Sequence, residues 1–197
     1  MKKKFDFYFD LGSPASYLAY TQLPKICNDT NSNVNLCPIL LGGIFKELGN
    51  QSPMVVPAKG KYFFKEMQKY AKLYDVPIIS NKYFPINTLR LMRICIGLKS
   101  YNDINFEKYI KIIYEAIWVN NLDMNQINVV FNILEKSGFN IFIIQKFLED
   151  QTIKTKLKNL TLEAIDRGVF GAPTFFVEKE MFWGQDRIEQ VKIALKD

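Results

Sequence analysis

The 197-residue chain contains no histidine. That removes Ser-His-Asp triads, Cys-His pairs, His-ligated metal sites and imidazole acid–base catalysis together. Cysteine is scarce: Cys27, Cys37 and Cys95 are odd in number and widely spaced. They frame no disulfide scaffold and have no metal-ligand spacing, so the expected metal content is none. Each reads as core filler in a reducing compartment. Long apolar runs are missing too. The most apolar stretch, 36–45, is too short to span a bilayer and is broken by Pro38, Gly42 and Gly43. Lys2-Lys3-Lys4 could open a secretory signal, but Asp6 and Asp10 interrupt the apolar stretch such a signal needs. The expectation is a soluble, cytoplasmic protein with no membrane partner. Gly60-Lys61 lacks the glycine five residues upstream that a phosphate loop requires, because Val55 stands there.

What is present is ordinary globular material. Hydrophobic residues make up 48% and charged residues 23%. The length suits one domain with a sizeable insertion, or two small ones. Net charge is 26 − 20 = +6 and the pI is about 9.1, near the level at which nucleic acid is considered. The distribution argues against that partner. Basic residues mostly alternate with acidic ones, and Lys154, Lys156 and Lys158 read as a solvated helix face. A small anionic substrate is an equally good use of a modest positive field.

The pattern changes twice along the chain. Phe5, Phe7 and Phe9 alternate with Asp6, Tyr8 and Asp10, a strand signal over 4–10. Ser13-Pro14 is an N-cap followed by a proline suited to the first helical position, predicting a helix over 14–28 with Pro24 inside it. A second strand comes next, over 34–40. Strand, helix, strand at this spacing is a βαβ unit with a parallel pair. The spacing then predicts helices over 60–74, 88–97, 106–119, 126–137, 141–149 and 152–167, with no convincing strand. Strands return over 174–177 and 181–183. A last helix over 186–195 carries Asp186 and Glu189 at capping-box spacing. This is the thioredoxin order: an α/β fold with an all-α insertion after the second strand. The expected division is a thioredoxin-like domain from residues 1–41 and 161–197, around a helical domain of residues 42–160.

Ser13-Pro14-Ala15-Ser16 stands where such a fold carries Cys-Pro-x-Cys, at the N-terminus of the first helix. Two serines cannot form the disulfide, but the position can hold a thiolate that arrives from outside. The helix dipole and the Ser13 hydroxyl would stabilise it. Taken alone, Ser13 is equally an N-cap and nothing more. Pro173 is either the cis proline that faces the active turn in this fold or an ordinary proline opening a strand. Asp186 either binds an ammonium group or caps the last helix, and the two roles are compatible.

Phe7-Tyr8-Phe9-Asp10-Leu11-Gly12-Ser13-Pro14-Ala15-Ser16-Tyr17-Leu18-Ala19 resembles the opening of the 2-hydroxychromene-2-carboxylate isomerases. These belong with the kappa-class glutathione transferases in the DsbA-like branch of the thioredoxin fold. Leu41-Gly42-Gly43-Ile44-Phe45, Gly49-Asn50 and Lys59-Gly60-Lys61-Tyr62 resemble the family's passage into its helical domain. Phe84-Pro85-Ile86-Asn87-Thr88-Leu89-Arg90, the run from Arg167 to Phe176 and Phe182-Trp183-Gly184-Gln185-Asp186-Arg187 resemble its later motifs. The resemblance spans essentially the whole chain.

It implies glutathione as cofactor, bound by Ser13, Pro14, Asn50, Ala172, Pro173, Gln185 and Asp186. Ser13 is the implied catalytic residue, at the glutathione sulfur. Asn50 would lie along the tripeptide, Ala172 would pair with the cysteinyl backbone, and Gln185 and Asp186 would hold the γ-glutamyl end. Asn87 and Arg90 are the implied substrate-side residues. The implied reaction is glutathione-dependent isomerisation of a small aromatic, anionic or electrophilic substrate: thiolate addition, bond rotation, elimination. The alternatives are a kappa-class-like transferase or peroxidase, and a catalytically silent glutathione-binding module. Relatives are usually homodimers.

Overall fold

The structure, a computed structural model, describes residues 2–196. Strand β1 (Lys4–Phe9) sends Phe5, Phe7 and Phe9 to one face, each 0–1% exposed, and Asp6 and Tyr8 to the other. Helix α1 (Pro14–Thr30) starts on the Ser13 cap and ends at Asn31, which takes a left-handed φ of 47°. It runs through Pro24, which lies on an exposed side. Strand β2 (Asn33–Pro38) then pairs with β1 in parallel, Phe7 opposite Leu36. This is the expected βαβ unit.

The next elements are helical: α2 (Leu41–Glu47), α3 (Pro57–Tyr74), α4 (Leu89–Ser100), α5 (Phe106–Trp118), α6 (Ile127–Lys136), α7 (Ile141–Glu149) and α8 (Gln151–Asp166). Strand β3 (Thr174–Val177) runs antiparallel to β1, and β4 (Glu180–Trp183) antiparallel to β3. The sheet order is β2-β1-β3-β4, with the aromatic β1 in the interior. Helix α9 (Ile188–Lys196) closes the chain after a 3₁₀ turn, Gln185–Arg187. The architecture is an α/β thioredoxin-like fold with a helical insertion after the second strand. Among the described residues no helix is long and apolar enough to cross a membrane.

Two local expectations are corrected, and one helix was not foreseen. Helix α2 has no sequence signal, since Gly42 and Gly43 lower its propensity and Ile44 is its one buried residue. Strand β2 stops at Pro38, because Leu40 already flanks α2. The last helix starts at Ile188, two residues after Asp186, whose carboxylate instead meets Arg187 at 3.1 Å inside the 3₁₀ turn.

One apolar cluster joins Phe7, Phe9 and Phe175 of the sheet to Leu18 and Ile26 of α1 and to Ile113, Tyr114 and Trp118 of α5. The insertion and the sheet therefore share a core. A smaller cluster of Ile39, Ile44, Ala164, Val169 and Phe176 covers the other sheet face.

Asp10, 1% exposed, lies just past β1 inside this packing. Its Oδ1 accepts the Gly12 amide at 2.8 Å. Its Oδ2 accepts the Leu41 amide at 2.8 Å and the Thr88 hydroxyl at 3.1 Å. One carboxylate thus binds the turn before α1, the start of α2 and the residue before α4. Burial pushes the Asp10 carboxyl up, and the bonds from Gly12, Leu41 and Thr88 oppose that rise. Asp10→Asn turns an amide NH₂ toward part of this donor set, so urea melts should show a loss of about 1–3 kcal/mol. The folded carboxyl holds its proton more tightly than the unfolded one, whose value is 3.8, so the Asp10 contribution to stability falls as pH rises from 3.8 through the folded value. Asp10→Asn lacks that fall. The stability gap between the two proteins should narrow across this window, and a widening gap would contradict the assignment.

Candidate active site

The turn from Asp10 to Ser13 is held on every side. The Ser13 amide donates to the Asp10 carbonyl at 3.1 Å, and Trp118 Nε1 donates to the Leu11 carbonyl at 3.1 Å. Gly12 is pressed against the insertion: a Cβ there would lie 2.7 Å from Thr88 Cγ2 and 3.5 Å from the Ile86 carbonyl. The backbone can come this close to the Thr88 methyl only without a side chain.

Ser13, 4% exposed, uses its hydroxyl twice. Oγ accepts the Ser16 amide at 3.1 Å, which caps α1, and donates to the Ala172 carbonyl at 3.0 Å. The Ser13 carbonyl takes the Tyr17 amide at 3.0 Å. Pro14 has no amide, so the Ala15 amide is the first-turn donor that Ser13 does not take. The first turn holds no acidic residue, leaving the positive end of the dipole uncompensated from within the helix. Ser16 is different: fully buried, its hydroxyl faces that of Tyr114, and neither has another partner among the described residues. It belongs to the interior, away from the Ser13–Ala172 contact.

Ala172–Pro173 is a cis peptide, as expected at this position. The Pro173 carbonyl accepts the Gly184 amide at 3.0 Å, which brings the Gln185–Asp186 turn to the same end of the sheet. Trp183 covers Gly171, where a Cβ would meet its Nε1 at 2.5 Å, and packs on Phe170 with ring centroids 4.9 Å apart. Ser13, Pro14, Ala172, Pro173, Gln185 and Asp186 therefore lie along one connected set of contacts.

Three residues implied by the resemblance stand outside that set. Asn50 is exposed after α2, its Oδ1 accepting the Gln51 amide at 2.8 Å. Asn87 is exposed and accepts the Leu89 amide at 3.1 Å. Arg90 is exposed in the first turn of α4. Asn87 and Arg90 nevertheless bracket Leu89 and Thr88, and Thr88 reaches Asp10. A cavity of ≈ 470 Å³, lined by Tyr17, Tyr20, Leu36 and Tyr114 and by the charged Glu107, Lys111 and Glu115 among others, opens beside the middle of α1 rather than at Ser13. Sequence reasoning missed Asp10, Thr88 and Trp118 as supports of the turn. For Asp10 the signal was available, as a carboxylate ending an otherwise aromatic strand.

A DSBA-like thioredoxin domain matches the chain over residues 4–196. The chain belongs to the DSBA-like thioredoxin family. This family member is 31% identical to the 2-hydroxychromene-2-carboxylate isomerase of Pseudomonas putida over 193 residues, covering 96% of this chain and 93% of that protein. It is 30% identical to glutathione S-transferase kappa 1 of Rattus norvegicus, covering 96% and 89%. The solved structure of a 2-hydroxychromene-2-carboxylate isomerase superposes with a TM-score of 0.84 at 28% identity, covering 98% of this chain and 94% of the other. Within the DSBA-like family the chain thus groups with the 2-hydroxychromene-2-carboxylate isomerases, as the motifs imply. Its Ser-Pro-Ala-Ser turn holds no thiol, so this DSBA-like protein makes no disulfide at that position.

The Gly12–Thr88 contact gives a direct test of how the turn is held. Gly12→Ala should cost about 1–3 kcal/mol, since the new methyl overpacks a filled site. Thr88→Ser removes Cγ2 and keeps the hydroxyl that Asp10 accepts, so in that background the cost of Gly12→Ala should fall by at least half. Equal costs in both backgrounds, measured as a double-mutant cycle, would contradict the contact.

Proposed function

We propose that the protein is a glutathione-dependent isomerase of the 2-hydroxychromene-2-carboxylate isomerase type. One observation carries the proposal: the Ser13 hydroxyl sits at the N-terminus of α1 and 3.0 Å from the Ala172 carbonyl beside Pro173. Support comes from 31% identity to such an isomerase across 96% of the chain. Bound glutathione would supply a thiolate nucleophile for reversible addition to an electrophilic carbon, so that a double bond could rotate as a single bond.

The chain's own residues suit that group. The Ser13 hydroxyl has one proton, now given to the Ala172 carbonyl. Rotated toward a sulfur, the same proton stabilises a thiolate, alongside the Ala15 amide and the α1 dipole. Ala172 is then released to accept a cysteinyl amide, so one rotation exchanges partners and leaves no buried group unpaired. Asp186, whose side chain is 30% exposed, offers a carboxylate to the γ-glutamyl ammonium with Gln185 beside it. Pro14 and Pro173 would flank the sulfur, Asn50 would reach the rest of the tripeptide, and Asn87 and Arg90 would meet the substrate, the guanidinium matching a carboxylate. The substrate class is a small aromatic acid with an electrophilic carbon. A reducing cytoplasm fits, since the three cysteines are free.

A kappa-class-like transferase is the second reading, favoured by 30% identity to the rat enzyme over 96% of the chain. The test is turnover of 2-hydroxychromene-2-carboxylate with and without glutathione. The isomerase reading predicts turnover only with glutathione and without its consumption. Ser13→Ala should lower kcat/KM by about 10- to 150-fold, the loss of one charge-assisted hydrogen bond. Conjugation of generic electrophiles without isomerisation would favour the transferase, and binding without either reaction would favour a silent module.

A further inference from the structure

Two tyrosine hydroxyls cross between the end of α3 and the thioredoxin-like part. Tyr74, the last residue of α3, donates to the Gln185 carbonyl. Tyr17 of α1 donates in the other direction, to the Pro77 carbonyl at 2.9 Å. The Gln185 turn therefore has two supports. The sheet holds it through the Gly184 amide on the Pro173 carbonyl at 3.0 Å, and the helical insertion holds it through Tyr74. Between them lies Gly184, at φ 114°, ψ 155°, a conformation that side-chain-bearing residues rarely adopt. The Tyr74 ring is itself steadied by Tyr70, with centroids 5.7 Å apart. Burial pushes the Tyr74 phenol well above the ordinary tyrosine range, so it stays a donor throughout the neutral range.

We infer that Tyr74 is a positioning residue for the γ-glutamyl end of glutathione, acting through the Gln185 carbonyl to fix the turn that presents Gln185 and Asp186. The inference rests on the proposed reading that this turn receives the γ-glutamyl group. Without the hydroxyl, the Gln185 carbonyl loses its one bond from the helical insertion and the turn can pivot at Gly184. The Asp186 carboxylate then has no fixed place in which to meet an ammonium. The loss should appear only with ligands that carry the γ-glutamyl group.

The test is calorimetric titration of wild type, Tyr74→Phe and Tyr17→Phe with glutathione and with cysteinylglycine, which lacks that group. Tyr74→Phe should raise the Kd for glutathione about 5- to 20-fold, and that for cysteinylglycine less than about twofold, as expected for one lost hydrogen bond that acts on one end of the ligand. Tyr17→Phe breaks the reciprocal bond and leaves the Tyr74–Gln185 bond in place, so it should leave the ratio of the two Kd values at that of wild type. Equal weakening of both ligands by Tyr74→Phe, no weakening of either, or the same change of ratio in Tyr17→Phe would overturn the role given to Tyr74. Wild type that binds neither ligand would instead remove the glutathione reading itself.

Discussion

A buried carboxylate that faces neutral donors rather than a cation is held in place by how many donors reach it and where they come from. Asp10 takes one from each of three segments that are far apart in sequence: Gly12, Leu41 and Thr88. If any segment moved, a buried acceptor and a buried donor would both lose a partner, at about 1–3 kcal/mol for each group. The turn carrying Ser13 is therefore fixed to the start of α2 and the start of α4 as firmly as to its own strand. The Thr88 methyl against Gly12 and the Trp118 indole on the Leu11 carbonyl tighten the same assembly. The helical insertion is thus part of what makes the active turn rigid.

A rigid turn gives the remaining chemistry its direction. The fold keeps the cis Pro173 and an uncompensated helix N-terminus, but replaces both turn cysteines by serine. Ser13 and Ser16 do not share the site equally. Ser13 bridges the helix cap to Ala172, whereas Ser16 is sealed below it against Tyr114. On the proposed reading this arrangement stabilises one external thiolate, and with no thiol in the turn it cannot cycle a disulfide there. With no histidine in the chain, dipole and hydroxyl are what the turn itself offers to ionise a thiol.

Much of this was readable from residues. Alternation of Phe5, Phe7 and Phe9 marked the central strand because period two is a strong signal when one face is fully buried. Ser13-Pro14 marked the helix start, and Gly171-Ala172-Pro173 marked the strand that faces it. What escaped was contact between residues distant in sequence. Nothing in local pattern links Asp10 to Leu41 and Thr88, or Tyr74 to Gln185. Helix α2 escaped because it is short, carries two glycines and buries only Ile44. The start of α9 escaped because a 3₁₀ turn absorbed Asp186, which capping-box spacing had placed at the helix N-terminus. Asn50, Asn87 and Arg90 came from motif resemblance alone, and they are the three that lie outside the connected cluster around Ser13.

Ser13 and the N-terminus of α1 are proposed to ionise a bound thiol. Thiolate absorbs in the ultraviolet and thiol does not, so a pH titration of the glutathione complex reads the ionisation directly. The thiol of bound glutathione should ionise well below its free value. In Ser13→Ala that value should climb back by roughly one to two units, each unit being about 1.4 kcal/mol of differential stabilisation. A bound thiol that titrates like free glutathione in the wild-type protein would contradict the claim.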